Sequence, residues 1–442
     1  MPRPLSIPPV LKFRRWWLLL LLTLTPFGAG SVMAASSLSL IYSGNLDGEL
    51  EPCGCSEAGD LGGLKRRATL LDQLRAENPQ LVVISSGGLL HVEGSGDRLK
   101  SEYILSGFKR LGYDAIGLQW RDLALGSAQV LEAGLPWVAS NWHDDSLPVS
   151  RLIERGEARI AFFSWLDPQQ SPLQQMQGSH TLVDGDVAGL HRALRQAKAD
   201  GAITVLATEL PLKLAASGLG LEDVDILIQR SAYEEYGEPS LQGKTLVLQP
   251  GSRGMRLGRV DLTLADGRIE SWRHAVLPMP DTIADAQKMR GWYEDYNAAV
   301  KAAYLKRVEL RKQREQGQSP FVGEEVCQTC HQAAYKVWSG SDHAIAYDDL
   351  EAVGKSFDPA CIQCHVVGFD KPGGFVDMSM TGHLMGVQCE SCHGAGRAHV
   401  EAQGKVSLPN SDWDKEKMCA QCHTQPHSPG FVFDSYWPKI RH

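Results

Sequence analysis

The pattern Cys327-Gln-Thr-Cys330-His331 recurs three more times in the last quarter of the chain. The copies are Cys361-Ile-Gln-Cys364-His365, Cys389-Glu-Ser-Cys392-His393 and Cys419-Ala-Gln-Cys422-His423. C-x-x-C-H is the attachment pattern of c-type haem. Two thiols at this spacing reach the two vinyl groups of one porphyrin, and the adjacent imidazole lies on the same turn, beneath the iron. Ten Cys and fourteen His in 442 residues give on the order of 0.01 chance copies, so four exclude coincidence. Zinc ribbons and disulfide frameworks also use paired C-x-x-C, but neither requires His after every second Cys.

Four covalently bound haem c groups are therefore expected. From Cys327 to His442 there are 116 residues, about 29 per haem, too few to wrap each porphyrin separately. The macrocycles are expected to form the apolar core and to lie nearly in contact, a spacing that lets electrons tunnel between them. Axial ligation then separates carrier from catalyst, because two imidazoles close an iron while an open position binds substrate. His331, His365, His393 and His423 are the expected proximal ligands. His343, His383, His399, His427 and His442 are five candidates for four distal places, so most or all irons are expected to be bis-His. Met378, Met380, Met385 and Met418 are thioether alternatives. His91, His143, His180, His191 and His274 read as ordinary surface or core histidines.

The amino terminus carries Arg3, Lys12, Arg14 and Arg15, then an apolar run over residues 16–24, then Val32-Met33-Ala34. Residues 1–35 read as a secretory signal peptide cut after Ala34 or Ala35. Pro26 and Gly28 argue against an uncleaved membrane span, and no Cys lies nearby for a lipid anchor. The Arg14-Arg15 pair faintly suggests a twin-arginine signal, but haem joins an exported, still unfolded chain, which fits the general secretory route. The mature protein is expected to be soluble and periplasmic, with outer-membrane association or release as further destinations. Net charge is −8, and residues 321–442 hold nine Lys/Arg against fifteen Asp/Glu. An acidic haem region favours a redox partner with a basic docking face and argues against nucleic acid.

Residues 36–280 alternate β-rich runs with helical patterns, which predicts an α/β layered sandwich. Strands are expected at 38–42, 81–85, 114–118, 159–164, 203–207, 225–228 and 245–248, and helices at 64–77, 99–111, 187–198 and 210–217. Residues 255–264 and 268–273 read as a hairpin closed by Asp266-Gly267. Residues 281–320 form the expected linker, an amphipathic helix with Met289, Trp292, Tyr293, Tyr296, Val300, Ala303, Tyr304 and Val308 at helical spacing. Its far end is basic, and docking that end on the acidic region is one option beside a solvated face. Residues 321–442 are expected to be a mostly helical and irregular multihaem domain.

The segments Trp338-Ser-Gly-Ser-Asp-His343-Ala, Cys364-His365-Val-Val-Gly-Phe and Gly386-Val-Gln-Cys389-Glu-Ser-Cys392-His393-Gly-Ala-Gly resemble the tetrahaem cytochrome c family that accepts electrons from hydroxylamine oxidoreductase. The resemblance covers roughly residues 322–442. It implies haems in parallel and roughly perpendicular pairs, with distal ligands donated from other haem segments. It also implies that His343 and His399 are distal ligands. That family leaves one iron five-coordinate, whereas His383 here offers a ligand for that position. The tail Pro438-Lys-Ile-Arg-His442 resembles a ligand tail of longer relatives, and that resemblance favours His442 over His427 as the remaining distal ligand.

Residues 38–275 resemble the 5′-nucleotidase branch of the calcineurin-like metallophosphatases. The matching segments are Asn45-Leu46-Asp47-Gly48, Ser86-Gly87-Gly88, Gln119-Trp120-Arg121-Asp122, Glu209, Gln229-Arg230-Ser231-Ala232 and Pro250-Gly251-Ser252. Active members of that branch hold two divalent cations that activate water and clamp phosphate. Here glycine (Gly88) stands for the bridging carboxylate, Arg121 for the catalytic His, and Trp120, Arg230 and Ala232 for other ligands. Only Asn45, Asp47 and Glu209 keep oxygen donors suited to a hard cation. The domain is expected to have lost hydrolysis, with no catalytic residue retained. Cys53-Gly-Cys55 is left over, either as a plain structural disulfide, a strained reducible one, an interchain link or a soft-metal site. The chain as a whole reads as an electron carrier with a docking module. Reduction of a small nitrogen or sulfur oxyanion at an open haem, and residual phosphoesterase activity in front, are the alternatives.

Overall fold

The computed structural model describes residues 36–52, 60–92, 97–171, 183–230, 237–265, 267–315, 317–425 and 427–442. The expected signal peptide, and Cys53, Cys55, His180, Ser231 and Ala232, lie outside them. Among the described residues no helix is long and apolar enough to cross a membrane.

Strands β1 (Ser36–Ser43), β2 (Val82–Ser85), β3 (Ala115–Gly117) and β4 (Trp137–Val138) run side by side in parallel. A second sheet follows, from β5 (Arg151–Arg155), β6 (Ala158–Trp165), β7 (Ile203–Thr208), β8 (Ile226–Gln229), β9 (Ser240–Gln242) and β10 (Thr245–Leu248). The chain then returns to the first sheet with the hairpin β11 (Arg256–Ala265) and β12 (Arg268–Pro278), which pairs antiparallel against β1. The orders are β12-β11-β1-β2-β3-β4 and β5-β6-β7-β8-β10-β9.

Successive strand residues face opposite sides of a sheet, and the two sheets use this to build three cores. Leu40, Tyr42, Val82 and Ile84 meet Phe162, Val205, Ile226 and Leu246 between the sheets. Ile41, Val83 and Ile116 face the other way, under helices Leu64–Glu77 and Asp97–Leu111. Phe163 and Leu206 do the same under helix Val187–Ala199. The result is a helix–sheet–sheet–helix sandwich. The strand ends and the loops after them converge on one edge, where Asn45, Asp47, Gly88, Arg121, Glu209 and Arg230 all lie.

The linker helix spans Arg290–Arg314, entered through a short turn at Gln287–Met289. It begins nine residues later than expected, because Pro280 opens a turn closed by Ile283 and Ala286 N–H is taken by Lys65 O. Its first half belongs to the front domain. Trp292 Nε1 donates to Tyr103 O at 3.2 Å and Ser106 Oγ at 3.0 Å, over a helix face opened by Gly107. Its second half belongs to the carboxy-terminal region, where Tyr304 and Val308 join Phe321, Tyr347, Ile362, Phe375 and Leu384 in one buried cluster. The basic end docks as well. Arg307 pairs with Asp370, Lys312 with Asp377 at 2.5 Å, and Arg311 Nη1 donates to Phe375 O at 2.8 Å.

Beyond the linker the described residues form a succession of short helices without a sheet, joined by turns. The apolar cluster ends at Leu384. From residue 397 onward no described side chain is buried, so this stretch supplies no hydrophobic core of its own.

Candidate functional site

Each C-x-x-C-H motif occupies one helical turn. The second and third close the helices Pro359–His365 and Cys389–His393. In the first and fourth, the His331 and His423 amides donate to the Cys327 and Cys419 carbonyls at 2.9 Å. An i→i+4 bond of this kind brings both thiols and the imidazole to one side of the turn. All eight motif cysteines are free thiols, not disulfides.

The imidazoles come together in pairs that cross between motifs. His331 faces His399 with ring centroids 6.2 Å apart, His423 faces His343 at 6.1 Å, and His393 faces His442 at 5.8 Å. A metal–imidazole bond of about 2.0–2.1 Å puts each ring centre roughly 3 Å from the metal, hence two trans rings roughly 6 Å apart. The three pairs meet that spacing. Among the described residues, no three His, Cys, Asp or Glu converge as a zinc ion would require. Two protein donors per site suit an iron whose other four positions belong to a porphyrin.

The ring nitrogens are oriented for the same task. His365 Nδ1 bonds to Ala346 O, His399 Nδ1 to Val406 O at 2.7 Å, and His442 Nδ1 to Ile440 O at 3.1 Å. A carbonyl only accepts, so Nδ1 carries the proton and Nε2 is left with its lone pair. Burial holds the His343, His393 and His423 pKa values below the ordinary range, with neighbouring histidines adding to the effect. Neutral imidazole is the ligating form.

The motifs themselves lie in two groups. The Cys327 thiol contacts that of Cys389, and Cys422 contacts Cys364. A cavity of about 410 Å³ between the first motif and the distal residue of the third is lined by His331, Ala334, Val337 and His442. The first and third sites are thus neighbours, and so are the second and fourth. His365 is in no ring pair among the described residues. His383 is exposed with its ring edge against Gly323, and His427 lies near Cys422.

Two residues outside the sequence expectations hold the cluster together. Glu390, inside the third motif, is buried and accepts from the amides of Val322 and Gly323 (2.9–3.1 Å) and Gly396. It fastens the approach to the first motif onto the third, and nothing in its sequence position signals this. Asp358 caps the second-motif helix, accepting from Ala360 N at 3.0 Å. The Asp-Pro pair at residues 358–359 was a legible signal for that cap.

In the front domain, arginines stand among the remaining oxygen donors. Arg121 Nη1 pairs with Asp47 Oδ1, and Arg230 bridges Asp47 at 3.5 Å and Glu209 at 3.3 Å. Trp120 N donates to Glu209 Oε2 at 3.1 Å. Asn45 is fully buried, and its Oδ1 accepts from Gln119 Nε2 at 3.1 Å. Gly88 has φ +71°, and a Cβ there would lie 2.5 Å from Gln119 Oε1. Aspartate at this position would meet both a strained backbone and an occupied space. Two front-domain histidines have ordinary surroundings: His274 bonds Tyr42 Oη at 2.9 Å, and His143 meets Asp144 at 3.2 Å.

Residues 326–394 match the family model described as cytochrome c554 and c-prime. Cytochrome c-554 of Nitrosomonas europaea is 34% identical over 136 residues, which is 24% of this chain and 58% of that protein. The chain therefore spans little more than half of that relative's length. The front domain aligns with the crystal structure of a 5′-nucleotidase precursor from Thermus thermophilus. That alignment has TM-score 0.52 and 17% identity, and covers 60% of this chain and 59% of that one. A sulfate thiohydrolase, SoxB, from the same organism in complex with glycerol aligns with TM-score 0.51 and 19% identity, over 65% and 63%. The carboxy-terminal region thus resembles c-type cytochromes, and the front domain has the metallophosphatase-like fold.

Proposed function

We propose that residues 321–442 carry four haem c groups and that the exported protein relays electrons between periplasmic or membrane redox partners. The observation behind this reading is the set of three cross-motif imidazole pairs, each at the separation that a shared iron imposes. Haem, when bound, supplies a one-electron centre. The chain would hold three of the irons with His331 and His399, His423 and His343, and His393 and His442, and would keep the sites in two neighbouring groups. Closed irons exchange electrons without binding substrate. The acidic surface favours partners with a basic face, and the front domain serves as a docking module. Its arginines occupy the ground that a dication pair needs, which supports loss of hydrolysis. Mass spectrometry of the mature protein tests the count. A product lacking four haem masses, or containing zinc instead of iron, ends this reading.

His365 favours a second reading for one site. An iron held by His365 alone keeps a free position, and such a site binds small ligands and can reduce a nitrogen or sulfur oxyanion. A ferric high-spin signal that responds to cyanide or nitric oxide supports it. Four low-spin signals that ignore both leave the electron carrier alone.

A further inference from the structure

A charged junction between the front domain and the second motif has no part in the relay so far. Lys355 Nζ donates to Glu51 Oε1 at 2.6 Å and to Asn297 Oδ1 at 2.9 Å, and lies 3.9 Å from Asp358 Oδ2. Its side chain is only 13% exposed. The rings of Tyr293 and Tyr296 flank the ammonium at 5.3 and 5.8 Å, and the Tyr293 hydroxyl donates to Glu51 Oε2. Lys65, the other cation over Tyr293, is matched by Asp285 at 2.5 Å. Lys100, which acts on Asp358, is 3.9 Å from Glu49.

Three parts of the molecule meet here. Glu51 comes from the front domain, Tyr293, Tyr296 and Asn297 from the linker helix, and Lys355 and Asp358 from the haem region. Asp358 caps the helix that carries Cys361, Cys364 and His365. Burial works against the ammonium, but Glu51, Tyr293 and Asp358 outweigh it and hold the Lys355 pKa above the usual lysine range.

We propose that Lys355 is a charge-tuning and positioning residue for the second haem, and that Glu51 lets the front domain set how much of that charge the haem feels. The proposal rests on the electron-relay reading and gives its front domain an electrochemical part. A fixed cation favours the reduced iron, which carries one positive charge less, and a half-buried site transmits this better than water does. Glu51 opposes it.

The test uses the full-length holoprotein as Lys355→Gln, Glu51→Gln and Lys355→Arg, titrated electrochemically under magnetic-resonance detection. The second haem is identified by the signal that a His365→Met variant alters. At a fixed potential, Lys355→Gln is expected to raise its ratio of oxidised to reduced iron roughly three- to tenfold. Glu51→Gln is expected to lower it, Lys355→Arg to keep it, and the other haems to stay within about twofold. Opposite signs at one haem are not what a merely structural disturbance gives. Shifts of one sign in both variants, equal shifts at all haems, or none, overturn the proposal. A wild-type protein without four haems instead overturns the relay reading beneath it.

Discussion

His442 faces His393 across 5.8 Å between ring centres, with its own Nδ1 bonded to Ile440 O. His442→Ala is therefore expected to open the third-motif iron and convert one low-spin ferric signal to high spin. His427→Ala is expected to leave the count of low-spin irons unchanged. Magnetic resonance of the two oxidised variants, side by side, checks the assignment.

Glu390 is the acceptor for three backbone amides, those of Val322, Gly323 and Gly396. Glu390→Ala leaves all three donors without their partner. A loss of about 3–5 kcal/mol is expected, on the scale of a buried charged acceptor removed from its donors. Denaturant unfolding of the holoprotein measures it, and Glu390→Gln, which keeps one oxygen, is expected to fall between.

Arg230 joins Asp47 to Glu209. Arg230→Ala is expected to destabilise the front domain by about 1–2 kcal/mol, modest because the pair is partly open to water. Burial already pushes the Asp47 carboxyl above its ordinary pKa, against Arg121 and Arg230, and removing Arg230 pushes it further. Calorimetry of the wild-type protein with Mn²⁺ is expected to show no two-site binding. Gly88→Asp alone is not expected to restore it, given φ +71° and Gln119 in the way.

Asp122 is fully buried, and burial pushes its carboxyl from 3.8 up to about 6, against the amides of Gly88, Gln119, Leu90 and Leu89. Because the folded pKa is the higher one, the folded state holds the extra proton between about pH 4 and pH 6. Its stabilising contribution is full below that window and is lost as pH rises through about 6. The stability advantage of wild type over Asp122→Asn is expected to narrow by about 3 kcal/mol from pH 4 to pH 7. Thermal unfolding of both proteins across that range decides it.

The strands and helices of the front domain were legible because periodicity reports burial. Helix Leu64–Glu77 falls where expected, and the expected hairpin appears as β11 and β12. The region 210–217 became a three-residue helix, Leu212–Leu214, running into a wider turn at Ala215–Leu219. Pro211 and Gly220 confine it from both ends, which a count of apolar residues does not register. Strand β9 was missed because its side chains are exposed and carry no alternation. In the carboxy-terminal region, motif spacing placed each thiol pair and its imidazole on one helical turn, since that arrangement is local. The pairing of His331 with His399 is set by tertiary contact, and its only sequence trace was the family resemblance. Glu390 and Lys355 act through backbone amides and across domains, where local pattern is silent.

The described residues of 397–442 bury no side chain of their own, so that stretch has little to drive collapse by itself. On the four-haem reading, its folding is tied to cofactor loading in the cell. Where porphyrin runs short, this tail is the part that proteases meet first, and the amount of full-length protein that survives would track haem supply and not transcription alone.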